Sequence, residues 1–194
     1  MSKTKKVLRT VLVAGVLSAL AAMATFSAFS SSTDNPNNTV TAGTVVLGSN
    51  GTASAAYSMT NAAPGDSSTP YCITVTYTGS LDADVKLYTP SSIGSLGQYA
   101  NLTVETGSQA TPNTNCSGFT QGAGDGTLFD DTLDQLPTSY GSGVLDAGPG
   151  AATKWVNNNV VTYRITATLP SATGNGAQGL TTGTHTLRFE AQNQ

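Results

Sequence analysis

Beyond its first thirty residues the chain is short of positive charge: Lys86, Lys154, Arg164 and Arg188 are the only cations, against all eleven acidic residues. That scarcity excludes nucleic-acid binding, which draws on clustered Lys and Arg to displace phosphate counterions. It equally excludes adhesion to anionic lipid through a basic patch. Histidine is scarcer still, with His185 alone in 194 residues. A zinc protease of the zincin type needs two histidines one helical turn apart with a Glu base between them, and that pattern is absent. A serine triad would have to use the same His, without a Gly-x-Ser-x-Gly elbow to present the nucleophile. Nothing in the sequence pairs two carboxylates for glycoside cleavage. The expectation is a protein that is not an enzyme and holds no cofactor.

What is present begins at the amino terminus. Lys3, Lys5, Lys6 and Arg9 precede an apolar run from Val11 to Phe29, which ends in Ser30-Ser31-Ser32. This order of basic, apolar and small polar residues is an export signal, assigned to residues 1–28, so the chain is expected outside the cytoplasm, secreted or at the cell surface. The run is close to the roughly 20 residues that span a bilayer, so an uncleaved signal would act as an anchor and is the only expected membrane contact. Residues 29–38 are polar and contain Pro36, and read as a flexible arm. Residues 39–194 show no composition break and read as one domain.

Cys72 and Cys116 are the only cysteines. In an oxidising compartment they are expected to form one disulfide, with two free buried thiols as the alternative. Such a bond would pin the Gly/Thr/Asn-rich segment before Cys116 to the rest of the fold.

From Thr39 onward apolar residues alternate with a period of two. In Tyr71 to Tyr77 one face carries Tyr71, Ile73, Val75 and Tyr77, and the other Cys72, Thr74 and Thr76. Cys72 is therefore expected to point away from the core, making its disulfide an outer-face or edge staple. Similar alternation appears in Ala55, Tyr57 and Met59; in Val85 and Leu87; in Leu102 and Val104; in Val161 to Leu169; and in Leu187, Phe189 and Ala191. Turn chemistry separates these runs at Ala63-Pro64-Gly65-Asp66, Thr78-Gly79-Ser80, Gly148-Pro149-Gly150 and Gly174-Asn175-Gly176. Only Leu128 to Leu136 has helical spacing. Short strands without a βαβ rhythm indicate an all-β, antiparallel two-sheet β-sandwich, jelly-roll-like or Ig-like.

The segment Ala24-Thr25-Phe26-Ser27-Ala28-Phe29-Ser30, followed by Asn38-Thr39-Val40-Thr41-Ala42-Gly43-Thr44-Val45-Val46-Leu47, resembles the start of TasA and camelysin-like proteins, the secreted clients of the SipW-type signal peptidase. Asn61-Ala62-Ala63-Pro64-Gly65-Asp66, then Thr76-Tyr77-Thr78-Gly79-Ser80-Leu81, resembles a core pattern of the same family, and Phe189-Glu190-Ala191-Gln192 its closing strand. The resemblance implies a jelly-roll-like sandwich and cleavage between Ala28 and Phe29, where the general small-x-small rule favours Ala22-Met23-Ala24 instead. It also implies self-association into extracellular matrix fibres, in which the amino-terminal segment of one subunit adds a strand to its neighbour. The donor strand would be Thr39, Val40, Thr41, Ala42, Gly43, Thr44, Val45, Val46 and Leu47. Camelysin-type proteins have been classed as metallopeptidases, a reading that the single His185 disfavours.

Other candidates are weaker in pattern. Asp125, Asp130, Asp131 and Asp134 offer hard oxygens suited to calcium but do not match an EF-hand, and solvated loop carboxylates are the plainer reading. His185 is expected near the last strand in a structural or partly solvated role. A second functional class is a module that binds glycan, protein or cell-surface polymer through an exposed sheet face or the loops bearing Tyr140 and Trp155. Trp155 itself is expected as a core or rim anchor.

Overall fold

The computed structural model describes residues 45–47, 55–150 and 152–192, all of which fall within one compact unit. Eight strands are described: β1 (Val45–Leu47), β2 (Tyr71–Tyr77), β3 (Asp84–Tyr88), β4 (Asn101–Gly107), β5 (Thr127–Thr132), β6 (Val144–Asp146), β7 (Val160–Thr168) and β8 (Arg188–Gln192). They form a five-stranded sheet, β1-β2-β7-β4-β5, and a three-stranded sheet, β6-β3-β8. Every neighbouring pair is antiparallel. The protein is an all-β sandwich, and short 3-10 turns are the only helical structure among the described residues.

The period-two pattern places the core. Register pairs Val75 with Val161, Ile73 with Tyr163 and Val104 with Ile165 across three adjacent strands, so their side chains share the face that meets Val85, Leu87 and Phe189 of the other sheet. Trp155 is fully buried in the same cluster, as expected of a core anchor, which removes it from any exposed recognition surface. Its indole Nε1–H donates to the Asp146 carbonyl at 3.0 Å, supplying the partner a buried Trp requires.

Two local expectations are corrected. Ala55, Tyr57 and Met59 alternate as a strand should, yet residues 55–59 lie in no strand. Leu128 to Leu136 is no helix: it is β5 followed by a 3-10 turn, Leu133–Gln135. A bulge explains the misleading spacing. Val104 pairs with Phe129 and Glu105 with Thr127, leaving Leu128 as the extra residue, so Leu128 and Phe129 both reach the core although they are consecutive.

Candidate functional site

Cys72 and Cys116 are disulfide-bonded, with Cα atoms 5.1 Å apart. As expected from alternation, Cys72 lies on the face of β2 opposite Val75 and Tyr77, yet it is completely buried. The cover is the loop between β4 and β5. Cys72 N–H donates to the Thr114 carbonyl at 3.0 Å, and Ser108 and Thr120 exchange backbone hydrogen bonds that fold the loop on itself. Beneath it, Thr74 and Thr162 bond hydroxyl to hydroxyl at 3.1 Å, both nearly inaccessible. Arg164 forks onto Glu105, with Nε to Oε2 at 2.6 Å and Nη2 to Oε1 at 2.8 Å, and carries the Phe119 ring 4.6 Å from its guanidinium. The hydrogen bond to Glu105 raises the Arg164 pKa further, so the guanidinium stays charged.

The acidic candidates do not converge. Asp130 and Asp131 are successive strand residues and point to opposite faces of β5. Asp130 accepts from the Thr103 hydroxyl, Asp131 from the Thr132 N–H, Asp134 from the Thr132 hydroxyl, and Asp125 from the Gly122 N–H. Among the described residues no group of three His, Cys, Asp or Glu is arranged to hold a metal ion.

A carboxylate that sequence reasoning missed lies in the core. Asp146, at the end of β6, is 5% exposed; Oδ2 accepts from the buried Tyr163 hydroxyl and Oδ1 from the Gly148 N–H at 2.9 Å. Burial raises its pKa, while these two bonds pull the other way. Tyr163 rises well above its ordinary value, chiefly through burial and then through Asp146. Asp84, also nearly buried, pairs with Lys154 at 2.6 Å, and its carbonyl accepts from Tyr140, whose ring lies 4.9 Å from the Lys86 ammonium. Tyr140 thus belongs to a polar cluster against β3.

His185 precedes β8 and lines a cavity of about 670 Å³ where β7 ends. Its Nε2 accepts from the Tyr57 hydroxyl and its Nδ1 sits 3.1 Å from the Gly183 carbonyl, which fixes the proton on Nδ1. Burial holds the Tyr57 pKa far above its usual value, so the phenol stays protonated. Ile73, Ala167, Leu169 and Phe189 form part of the wall, with residues 55–59 and 181–187 opposite.

The edges of the larger sheet bear on self-association. At one, Val45, Val46 and Leu47 pair with Tyr77, Thr76 and Val75 of the same chain. The remaining residues of the expected donor strand, Thr39 to Thr44, lie outside the described residues, as do the signal segment and the cleavage position Ala28 and Phe29. At the other edge β5 carries Asp130 and Asp131, charges of the kind that blunt an open edge against further strands. No described helix is long and apolar enough to cross a membrane. Compared with models of known protein families and with curated protein sequences, the chain gives no match.

Proposed function

We propose that this chain is an exported, non-enzymatic structural protein of the cell surface or biofilm matrix, which self-associates by strand addition at the edge occupied by β1. The observation that carries the reading is the position of β1: three residues from the amino-terminal side, antiparallel to the carboxyl-terminal half of β2. Main-chain hydrogen bonds of that kind are the same whether the strand comes from its own chain or from a second copy. The opposite edge, with its carboxylates, discourages the same contact, so addition would be directional. The disulfide fits an extracellular setting. In this reading a SipW-type peptidase releases the chain at Phe29, and cell-surface polymers are secondary partners.

The test compares the chain beginning at Phe29 with one lacking residues 29–47, by light scattering and negative-stain imaging across a concentration series. The first is expected to form oligomers or filaments and the second to remain monomeric. Two monomeric preparations at high concentration remove the reading. A second reading, an extracellular binding module, is favoured by the cavity beside His185.

A further inference from the structure

We infer that the cavity beside Tyr57 and His185 is a binding site for a small, uncharged, largely apolar molecule that carries one hydrogen-bond donor. The inference is independent of strand addition.

Three observations define the ligand class. The first is size: about 670 Å³ lies within the roughly 300–1,000 Å³ of ordinary ligand pockets. It lies where the five-stranded sheet is faced by extended segments, since β8 begins only at Arg188. The second is charge. Among the described residues no Asp, Glu, Lys or Arg lines the cavity, so an ionic group brought into it would lose hydration with no opposite charge from them to meet it. The wall combines aliphatic and aromatic groups such as Ile73, Leu133, Leu169 and Phe189, and Met59 as an adaptable thioether, with the uncharged hydroxyl residues Ser58 and five threonines.

The third is the polar pair. Because the Tyr57 hydroxyl donates to His185 Nε2, and His185 Nδ1–H is directed to the Gly183 carbonyl, both of these protons are already committed. The phenol oxygen keeps an acceptor lone pair, which a ligand hydroxyl or N–H can meet. The wall is fixed in place rather than improvised. Gly94 N–H donates to the Thr182 carbonyl at 2.7 Å and Leu96 N–H to the Thr181 carbonyl at 3.2 Å. A Cβ at Gly94 would lie 2.4 Å from the Thr181 carbonyl oxygen, so only glycine permits this approach.

The experiment uses N-phenylnaphthylamine, a neutral aromatic fluorophore with one N–H, titrated with the chain beginning at Phe29. Saturable one-to-one enhancement is expected, with the sulfonated analogue anilinonaphthalene sulfonate binding at least about tenfold more weakly. The N-methyl derivative, which has no proton to donate, is expected to bind roughly fivefold more weakly. Ala56→Trp, on the half-buried wall, should raise the dissociation constant more than about tenfold by filling the space. Ala167→Phe, from the sheet side, serves as a second filling variant, each being checked for an unchanged circular dichroism spectrum. Absence of saturable binding overturns the inference, as does undiminished binding in folded filled variants. Equal affinity for the sulfonate overturns the charge argument, and equal affinity for the N-methyl compound overturns the role of Tyr57.

Discussion

Toward the core the five-stranded sheet is closed to water by apolar packing, whereas its other face is closed only locally, around Cys72, Thr74 and Thr162, and by different chemistry. Toward β3 and β8, Val75, Val104, Val161 and Ile165 meet Val85, Leu87 and Phe189 as an ordinary apolar core. On the other side Cys72 is fully buried and Thr74 and Thr162 are 3% and 1% exposed, although none of them belongs to that core. There the closure comes from a loop held by a covalent bond, hydroxyl pairing and the Arg164–Glu105 fork. The core face would seal wherever two such sheets meet, because apolar burial is non-directional. The outer face seals only if one loop is brought to one place, which makes it dependent on a few contacts.

The sharpest way to break the core face is Trp155→Ala. It removes a fully buried indole and leaves the Asp146 carbonyl without its donor, for an expected loss of about 3–5 kcal/mol in chemical denaturation. That is enough to threaten folding of a domain of ordinary stability. A cost below about 1 kcal/mol would mean that the core closes without this anchor.

On the outer face the corresponding change is Cys72→Ala with Cys116→Ala. For a sequence separation of 44 residues the chain-entropy relation gives at most roughly 4 kcal/mol, and the native sheet itself should survive. The two faces should then part in hydrogen exchange. Amides of the loop after β4, including Ser108 and Thr120, are expected to lose protection, while those of β7 facing β2 and β4 keep theirs. Uniform loss across both sets would show that the loop and the core unfold as one unit.

The core face was largely legible in the sequence and the outer face was not, and both outcomes follow from what alternation encodes. Tyr71 to Tyr77 and Val161 to Leu169 announce an apolar side, and the structure turns Val75, Tyr77, Val161 and Ile165 inward. The same reading marks Cys72, Thr74 and Thr162 as outward, which is correct for direction and silent on a loop that returns to cover them. Ala55, Tyr57 and Met59 show the converse: alternation is necessary for a half-buried strand, but a strand also needs a partner. Residues 55–59 instead contribute a wall to the cavity, where Tyr57 meets His185 across 128 positions of sequence. No local pattern encodes that meeting. The acidic set 125, 130, 131 and 134 looked clustered because it is close in sequence, whereas a strand sends consecutive side chains apart. Asp146 went unnoticed because a single Asp beside Ala-Gly-Pro reads as loop chemistry, and only the fold brings Tyr163 to it.

Asp146 also separates the faces by pH. Its carboxyl has a raised pKa because burial disfavours the charged form more than Tyr163 and Gly148 favour it. The folded state therefore holds a proton more tightly than the unfolded chain does. The stabilisation from that proton is fully present below the ordinary carboxylate value, about 3.9, and is lost as pH rises through the folded-state pKa. Other carboxylates act in the opposite sense; Glu190, for instance, has a lowered pKa because Tyr88, Gln192 and Arg188 favour its charge. The bare pH profile is thus a sum of opposing contributions, and the informative quantity is the difference between wild type and Asp146→Asn. As pH falls from 7 toward about 4, that difference should shift in favour of the wild type. Its size should approach about 1.4 kcal/mol for each unit separating the folded and unfolded pKa values. The double cysteine variant should show no such relative shift, since its bond carries no titrating proton. Urea unfolding of all three proteins at matched pH checks this, and a wild-type advantage over Asp146→Asn that stays flat would place the Asp146 carboxylate in effective contact with water.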